Sequence, residues 1–386
     1  MVKMRIPLLL TGFILVSICG PLANGIHLYP EDRKEALSVF RSWTAEYKRD
    51  YRTQEEVDAR FEVFLSNLIH INTLNKLHRG QTMFAVNKFA DLSPKEFRKT
   101  VLMPSRDPPT HPPDRFMRVP PLTDPIPESF DWTNQNVVTS VKDQGSAGSC
   151  WAFSTIGNLE GQWAMQGKPL TNLSVEQVVD CDSNKDPARG RADCGVFGGW
   201  PYLAYQYIKN AGGIQTWTDY PYCCGIGGGP GSCFPCPAPG YNRTLCGPPA
   251  EYCLKNESCN ARINPSRFVP GLRVSDWQAV SQNETEIAVA LMATGPLSVA
   301  LDASLLQFYH SGVFGPVLGC SKTDLNHAVL MVGFGVEKGI VEQKPYWKIK
   351  NSWGSRWGLN GYFYIKRGSG ECGINTEVTT ALLEKA

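Results

Sequence analysis

One cysteine, Cys150, lies between a run of small residues and an apolar stretch, in the segment KDQGSAGSCWAF. The small residues 145–149 leave room for another peptide chain, and the residues after them have helical spacing, so Cys150 is predicted to begin a helix. Free N–H groups and the helix dipole favour a thiolate there, and cysteine pKa values can fall to roughly 3.5 to 7.5. Cys150 is therefore a candidate nucleophile; half of a disulfide and a buried filler are the alternatives.

A nucleophilic thiol also needs a base, and the six histidines of the chain narrow the search. Four of them precede residue 112, in a segment that we expect to be removed. His310 fits a strand edge or a loop, whereas His327 heads an apolar strand in LNHAVLMVGFG, where a satisfied core histidine is the alternative. In KNSWGSRWGLNGY, Asn351 can accept a hydrogen bond from the imidazole, and Trp353 and Trp357 can shield that bond from water.

The elements that must position these residues lie in three regions of different character, and the first is helical in pattern. Phe40, Trp43 and Tyr47 share one face of a first predicted helix. A second predicted helix carries polar and apolar residues mixed on one face, which indicates either ordinary amphipathicity or a set of specific polar bonds. This mixed stripe consists of Glu56, Arg60, Phe64, Asn67, Ile71 and Asn75.

A connector rich in proline, Met103–Pro127, follows these helices and should be extended and accessible to proteases. Beyond it, helix signals over 150–166 precede strand-like runs such as LSVALDA, HAVLMVGFG and YWKIK. Helices first and an antiparallel sheet later predict an α+β fold of two packed halves.

The N-terminus is typical of a secretory signal peptide, which we assign to residues 1–25: Lys3 and Arg5 precede an apolar core and the small-residue stretch GPLANG. That core is too short to cross a membrane, and no later run reaches eighteen apolar residues, so no membrane span is expected. The net charge of +2 gives no electrostatic reason for a nucleic-acid partner. The product is expected in the secretory pathway and then in a lysosome or outside the cell.

Thirteen cysteines in an exported chain imply a disulfide framework. If Cys19 is lost with the signal peptide and Cys150 stays free, eleven remain, so one further thiol must stay unpaired or pair outside the chain. Four glycosylation sequons also support export, at Asn172, Asn242, Asn256 and Asn283.

Taken together, QGSAGSCWAFS, LNHAVLMVGFG and KNSWGSRWGLNGY resemble the three active-site segments of the papain-like cysteine proteases, in the family's order. The mixed stripe resembles the ERFNIN helix of cathepsin L-type propeptides, and Ala85, Asn87, Phe89 and Asp91 resemble its GNFD segment with Ala for the Gly. The resemblance implies a papain-like two-domain fold, with the nucleophile helix in a helical left half and a β-barrel-like right half. It also implies an inhibitory prodomain over 26–125 and a peptidase domain over 126–386.

Carried over residue by residue, the resemblance makes Cys150 the nucleophile, His327 the general base and then acid, Asn351 its orienting partner, and Gln144 an oxyanion donor. It implies a cysteine endopeptidase that acts through a thiolate–imidazolium pair and an acyl-enzyme. The implied partners are peptide or protein substrates, its own prodomain as an intramolecular inhibitor, and cystatin-like inhibitors. No cofactor or metal is expected, and the protein should be a monomer.

The alternative is a catalytically silent relative that binds peptides or partners through a cysteine-rich insertion over 223–259. The insertion lies near the position of the cathepsin B occluding loop but lacks that loop's paired histidines. Its Cys233 and Cys236 form a CxxC pair for which zinc is an alternative, although an oxidising compartment favours disulfides.

The resemblance also places a set of residues along the substrate cleft. Most are apolar, so an aliphatic or aromatic side chain second from the scissile bond is expected. Glu377 lies five residues after Cys372, where cathepsin B also has Glu, and would let the pocket accept Arg as well; the alternative is a solvated surface carboxylate. The complete set is Gly198, Gly199, Trp200, Pro201, Ala300, Leu325, Ala328, Trp353 and Glu377.

The cysteine pattern departs from the family at Ala147, where the family has a cysteine that bridges to the position of Cys194. We therefore expect an insertion cysteine to capture Cys194. The resemblance further implies a bridge between Cys320 and Cys372, and one from Cys181 to a cysteine near 223–233.

Acid is expected to release the prodomain, because protonation of Asp91 and other paired carboxylates would remove their stabilisation of the folded prodomain.

Overall fold

The computed structural model describes residues 22–23, 26–121, 125–222, 240–248, 263–317, 319–338 and 343–385. Its α-helices are α1 Arg33–Glu46, α2 Gln54–His78, α3 Pro94–Thr100, α4 Cys150–Met165, α5 Val175–Cys181, α6 Pro201–Ala211, α7 Arg243–Cys246 and α8 Glu284–Thr294. Its strands are β1 Leu22–Ala23, β2 Ile26–His27, β3 Thr82–Phe84, β4 Phe130–Asp131, β5 Lys185–Asp186, β6 Arg191–Ala192, β7 Val274–Ala279, β8 Leu297–Leu301, β9 Tyr309–Phe314, β10 His327–Lys338, β11 Gln343–Lys350, β12 Tyr362–Lys366 and β13 Val378–Leu383.

Specific polar bonds hold the N-terminal helices to the loop that follows them. In α2, the buried Asn67 donates from Nδ2 to the carbonyls of Ala90 and Leu92 at 2.8 and 2.9 Å. Asn75 donates to Phe84 O and accepts from Phe84 N. The mixed stripe therefore forms specific bonds rather than an ordinary amphipathic face, which was one of the two interpretations that its pattern allowed.

The C-terminal half is built on a nine-stranded sheet in the order β3-β9-β12-β11-β10-β8-β13-β7, with β4 paired to β10. Strand β3 comes from the N-terminal region and pairs antiparallel with β9, so that region adds a strand to the sheet of the peptidase half. The helical half packs against the sheet through α4, whose Ser154 donates to Val329 O at 2.6 Å. Helix first and sheet later is the predicted α+β arrangement.

Helix α4 is buried from Cys150 to Gly161 and forms the centre of the helical half. At Gly157 an added Cβ would lie 3.1 Å from Leu330 of β10, so the absent side chain permits this close packing. Among the described residues, none of the helices combines the length and apolarity that a membrane crossing needs.

The described cysteines form two disulfides, Cys194–Cys246 and Cys320–Cys372. Cys246 belongs to the insertion, so an insertion cysteine does capture Cys194. The expectation for Cys181 is wrong: its thiol is free and buried, packed with Tyr207 and Ile263 in a small apolar cluster.

Two of the sequon asparagines, Asn172 and Asn283, are exposed. Asn242 is half-buried and its side chain accepts from Thr244 N and Leu245 N at the start of α7. Asn256, the Cys233–Cys236 pair and the signal peptide assignment, apart from Leu22–Ala23, lie outside the described residues.

Candidate active site

Cys150 is the first residue of α4 and is fully buried. The small residues before it bring another backbone close, as the sequence predicted. At Gly148, an added Cβ would lie 2.8 Å from the carbonyl oxygen of Val196 and 3.3 Å from that of Leu102. Leu102 belongs to the N-terminal region, so its backbone lies against the loop that precedes the thiol.

His327 begins β10, and its Nε2 lies 2.8 Å from Asn351 Oδ1. Because a carbonyl oxygen can only accept, Nε2 carries the hydrogen of the neutral ring and donates to Asn351. Nδ1 is then a lone pair, and it has no hydrogen-bond partner in the described part of the chain. Trp353 stacks on the ring with centroids 4.7 Å apart, so the imidazole is oriented and one nitrogen remains available for a proton.

Gln144 is fully buried, and its amide is fixed from several sides. Its Oε1 accepts from Ser352 Oγ at 2.7 Å. Its Nε2 donates to Ala147 O at 2.7 Å and to Val101 O at 2.8 Å. A peptide carbonyl that precedes the connector is therefore bound by the predicted oxyanion donor.

The connector continues through the cleft from there. Met103 N donates to Asn326 O at 2.8 Å. The Met103 side chain lies against Gly198, where an added Cβ would be 3.1 Å away. Arg106 then pairs with Leu325 in an antiparallel bridge of two hydrogen bonds, so the chain's own backbone occupies the place of a bound peptide.

The comparisons with known proteins agree with this geometry. The family described as papain family cysteine protease matches residues 126–382, and the cathepsin propeptide inhibitor domain matches residues 40–97. The chain belongs to the papain family of cysteine proteases. It carries the propeptide of the cathepsins in front of its peptidase region.

Individual relatives cover most of this papain-family chain. Cysteine proteinase 15A of Pisum sativum is 39% identical over 88% of this chain and 85% of its own length. Cathepsin F of Mus musculus is 35% identical over 92% of this chain and 67% of its own length. The structure of digestive procathepsin L 3 from Tenebrio molitor larval midgut superposes with a TM-score of 0.70 and 31% identity, covering 90% of this chain and 99% of that one.

Burial favours the uncharged forms of Cys150 and His327, the two candidate reacting groups, while the connector is in place. Burial raises the pKa of the Cys150 thiol to about 12, although backbone hydrogen bonds from Ala328 and Trp151 oppose the rise. Burial lowers the pKa of His327 to about 4, although the hydrogen bond with Asn351 opposes the fall. The thiolate–imidazolium pair implied by the resemblance is therefore disfavoured in this closed form, because burial outweighs the hydrogen bonds.

Other residues predicted to line the cleft lie at the start of α6 and on the paired strands β8 and β10. At Gly199, an added Cβ would lie 2.5 Å from the Trp151 ring. Trp200 is 3% exposed, and Pro201 begins α6. Ala300 and Ala328 face each other in the β8–β10 register, and both are buried.

Glu377 is 1% exposed, so the interpretation as a solvated surface carboxylate is wrong. Its Oε2 lies 2.8 Å from His111 Nε2, and its Oε1 has no partner among the described residues. Burial raises the pKa of Glu377, and the hydrogen bond with His111 opposes the rise. The His111 ring lies edge-on to Tyr202 and Trp277, with centroids 5.1 and 5.0 Å away, so the connector places an imidazole in an aromatic pocket over the carboxylate.

Sequence reasoning missed His111, because it set aside the histidines of the segment expected to be removed. The described part of the connector is free of α-helix and strand, as predicted, apart from a 3₁₀ turn over Pro113–Arg115, and side chains of the peptidase half hold it by its backbone. Arg191 donates to Asp107 O, and Arg189 donates to Thr110 O, both at 2.7 Å. A proline-rich sequence shows that a segment is extended; it does not show which arginines will bind its carbonyls.

The propeptide domain lies on the tryptophan that covers His327. The Phe89 and Phe97 rings meet Trp353 edge-on at 5.5 and 5.3 Å. Lys88 Nζ lies 2.6 Å from both carboxylate oxygens of Asp143. The GNFD-like segment thus packs against the wall of the active site.

The expectation for Asp91 is wrong in sign. Burial raises its pKa above the ordinary value, although Arg49 and Tyr51 oppose the rise. A carboxyl whose folded-state pKa is raised stabilises the fold at low pH and loses that contribution as pH rises, so Asp91 does not drive acid release. For Glu96, burial raises the pKa, but hydrogen bonds from Ser93 and Arg60 outweigh burial, so the pKa is lowered. Ionised Glu96 therefore stabilises the folded prodomain, and that stabilisation is lost as pH falls.

Proposed function

We propose that this papain-family protease is an exported, proenzyme-controlled endopeptidase whose chemistry is carried by Cys150, His327, Asn351 and Gln144. The observation that carries the proposal is the 2.8 Å hydrogen bond from Gln144 Nε2 to the carbonyl of Val101. A peptide carbonyl thereby meets a buried side-chain donor on the loop that leads to the Cys150 helix. That is the environment a tetrahedral oxyanion needs.

The reaction begins when the thiol proton moves to His327 Nδ1, which leaves a thiolate and an imidazolium. Sulfur attacks the scissile carbonyl carbon, and the oxyanion accepts hydrogen bonds from the Gln144 amide and the Cys150 backbone N–H. The imidazolium then gives its proton to the leaving amine as the C–N bond breaks. Water, deprotonated by His327, hydrolyses the thioester and restores the thiol.

The connector accounts for inhibition by two physical effects. The backbone from Val101 to Arg106, which leads into the connector, fills the place of substrate, and its presence keeps water from Cys150 and His327. When it leaves, the thiol and the imidazole regain solvent, and the burial that holds both groups neutral is relieved. Activation therefore opens the cleft and favours the ion pair in one step.

We assign residues 1–25 to a signal peptide, 26–125 to the inhibitory prodomain and 126–386 to the peptidase domain. The propeptide match over 40–97 and the peptidase match from 126 support this division. The exposed sequons at Asn172 and Asn283 support passage through the secretory pathway to a lysosome or the cell exterior. Peptides and proteins are the substrates, cystatin-like proteins are candidate inhibitors, and the enzyme acts as a monomer.

The test is labelling with a thiol-directed epoxide inhibitor before and after acid processing, followed by mass mapping. We expect Cys150 to be labelled only in the processed enzyme. Cys150→Ser should abolish both labelling and peptide hydrolysis, whereas Cys181→Ser, which removes the other free thiol among the described residues, should change neither. Processed enzyme that carries no label on Cys150, or that hydrolyses peptides without it, would refute the proposal.

A further inference from the structure

Two fully buried carboxyl groups, those of Asp182 and Asp193, lie together outside the catalytic centre. Asp182 follows α5, and its Oδ1 accepts from Asn184 N at 2.8 Å. Asp193 follows β6, and its Oδ1 accepts from Trp200 N at 2.6 Å. The second of these bonds connects the pair to the cleft segment 198–200.

The pKa of each carboxyl group depends on the other, as expected for two carboxyl groups within hydrogen-bonding reach. The Oδ2 atom of each has no N–H or hydroxyl partner among the described residues, so a proton shared between the two carboxyl groups would satisfy both. Two ionised carboxylates side by side in a dry site would repel each other strongly, so the arrangement requires a shared proton. Burial raises the pKa of both groups, and the pair titrates as one unit.

The Asp193 carboxyl group determines where the cleft segment lies. At Gly199, an added Cβ would be 2.6 Å from Asp193 Oδ1 and 2.5 Å from the Trp151 ring, so the backbone there is held between the two side chains. Met103 of the connector rests on the neighbouring Gly198. A shift of Asp193 would therefore move the surface against which a bound peptide packs.

We propose that Asp193, sharing one proton with Asp182, is a positioning residue for segment 198–200, and that loss of this proton weakens peptide binding as pH rises. The inference rests on the proposed function, because it takes segment 198–200 as the wall of the substrate cleft. The pH dependence that the Asp182–Asp193 pair causes therefore lies in peptide binding, whereas the chemical step depends on Cys150 and His327.

The groups that face the pair come from four elements. The cation near Asp193 is Arg106 of the connector; Arg191 of β6 lies near Arg106 and over the Trp200 ring. Helix α5 brings Cys181, and α6 brings Tyr202 and Tyr207, all uncharged near neutral pH. Arg106 favours the ionised form of Asp193 and leaves with the connector, so the processed enzyme should hold the shared proton to higher pH than the proenzyme.

The test compares kcat and KM of the processed enzyme between pH 4 and pH 8.5 on one peptide substrate. In wild type we expect KM to increase at pH values above the one at which the pair loses its shared proton. The increase should be about tenfold per pH unit at most, because one proton is involved. Asp193→Asn keeps the acceptor for Trp200 N and supplies a permanent N–H to Asp182, so its KM should stay flat. Asp182→Asn should behave in the same way. Asp193→Ala should raise KM at every pH, and Asp186→Asn on the same hairpin should match wild type.

The proton-linked role would be overturned if Asp193→Asn and Asp182→Asn kept the wild-type rise of KM with pH. It would also be overturned if the alkaline loss in wild type lay wholly in kcat. The dissociation constant of the same peptide on processed Cys150→Ala protein, measured over the same pH range, gives a readout that needs no turnover. Absence of turnover in wild type would refute the proposed function, whereas a pH-independent dissociation constant would refute the role of Asp193.

Discussion

Replacement of Glu377 by Gln should remove most of the enzyme's acceptance of Arg second from the scissile bond and leave Phe substrates unaffected. In the proenzyme the carboxylate binds one imidazole, that of His111, through Oε2, while Oε1 has no partner among the described residues. Removal of the connector exposes two acceptor oxygens in a pocket that also contains Tyr202 and Trp277. A guanidinium offers two parallel N–H donors to such a pair.

The expected magnitude follows from the burial of this carboxylate. With His111 over it in the proenzyme, Glu377 is 1% exposed, and a substrate side chain in the same place should exclude water equally well; a hydrogen bond to a cationic substrate group should then contribute about 1.5 to 3 kcal/mol. Glutamine keeps the shape but lacks the charge, and it turns one acceptor into a donor that meets the guanidinium N–H groups unfavourably. We therefore expect Glu377→Gln to lower the ratio of kcat/KM for Arg to that for Phe by roughly 10- to 150-fold.

The assay measures kcat/KM for a matched pair of peptides that differ only in Arg or Phe at that position. Glu384→Gln is the matched control, since Glu384 is exposed beyond the end of β13. An unchanged Arg-to-Phe ratio in Glu377→Gln would place this carboxylate outside the substrate pocket. A parallel loss for both substrates would mean that the variant damages the fold rather than the selectivity.

Three further predictions concern the proenzyme and the disulfides. His111→Leu should weaken binding of the connector to the peptidase half at neutral pH by about 2 to 5 kcal/mol, because it leaves a buried carboxylate unpaired. Uncleaved proenzyme should then hydrolyse peptides faster, and an unchanged rate would contradict the prediction. Glu96→Gln should shift acid activation to higher pH, because it removes an ion pair worth up to about 1 kcal/mol at the surface; a pH series of activation rates checks the direction. Ala147→Cys should compete for Cys194 and release Cys246 as a free thiol, so unchanged disulfide mapping of Cys194–Cys246 would show that the native bridge is preferred.

The sequence predicted the parts of the site whose signals are local. Cys150 at a helix start and the Asn351 segment with its tryptophans are each recognisable within a short window, and the structure places them on α4 and beside β10. The His111–Glu377 contact spans 266 positions, and no local pattern marks either residue as a partner of the other. Such a contact depends on the path that the connector takes across the folded peptidase half.

Burial accounts for the prediction whose sign was wrong, that for Asp91, and for the neutral state of Cys150 and His327 in the closed form. From sequence, Asp91 was expected to be a paired carboxylate, and the thiolate–imidazolium pair of the processed enzyme stays a prediction. In the folded proenzyme these groups are buried, and burial favours the neutral form more strongly than the available hydrogen bonds favour the charged one. The sequence pattern identifies which groups interact, but whether burial or pairing determines their charge depends on how completely the surrounding chain excludes water.

Two carboxyl sites, Glu96 and the Asp182–Asp193 pair, respond to pH in opposite directions. The pKa of Glu96 is lowered in the fold, so its stabilisation of the prodomain is present above its ordinary pKa and is lost as pH falls. The pKa values of Asp182 and Asp193 are raised, so their contribution to the peptidase half is present at low pH and is lost as pH rises. Acidification therefore removes the contribution of Glu96 to the prodomain and keeps that of the aspartate pair beside segment 198–200, because the Glu96 ion pair keeps its contact with solvent whereas the aspartate pair is completely buried.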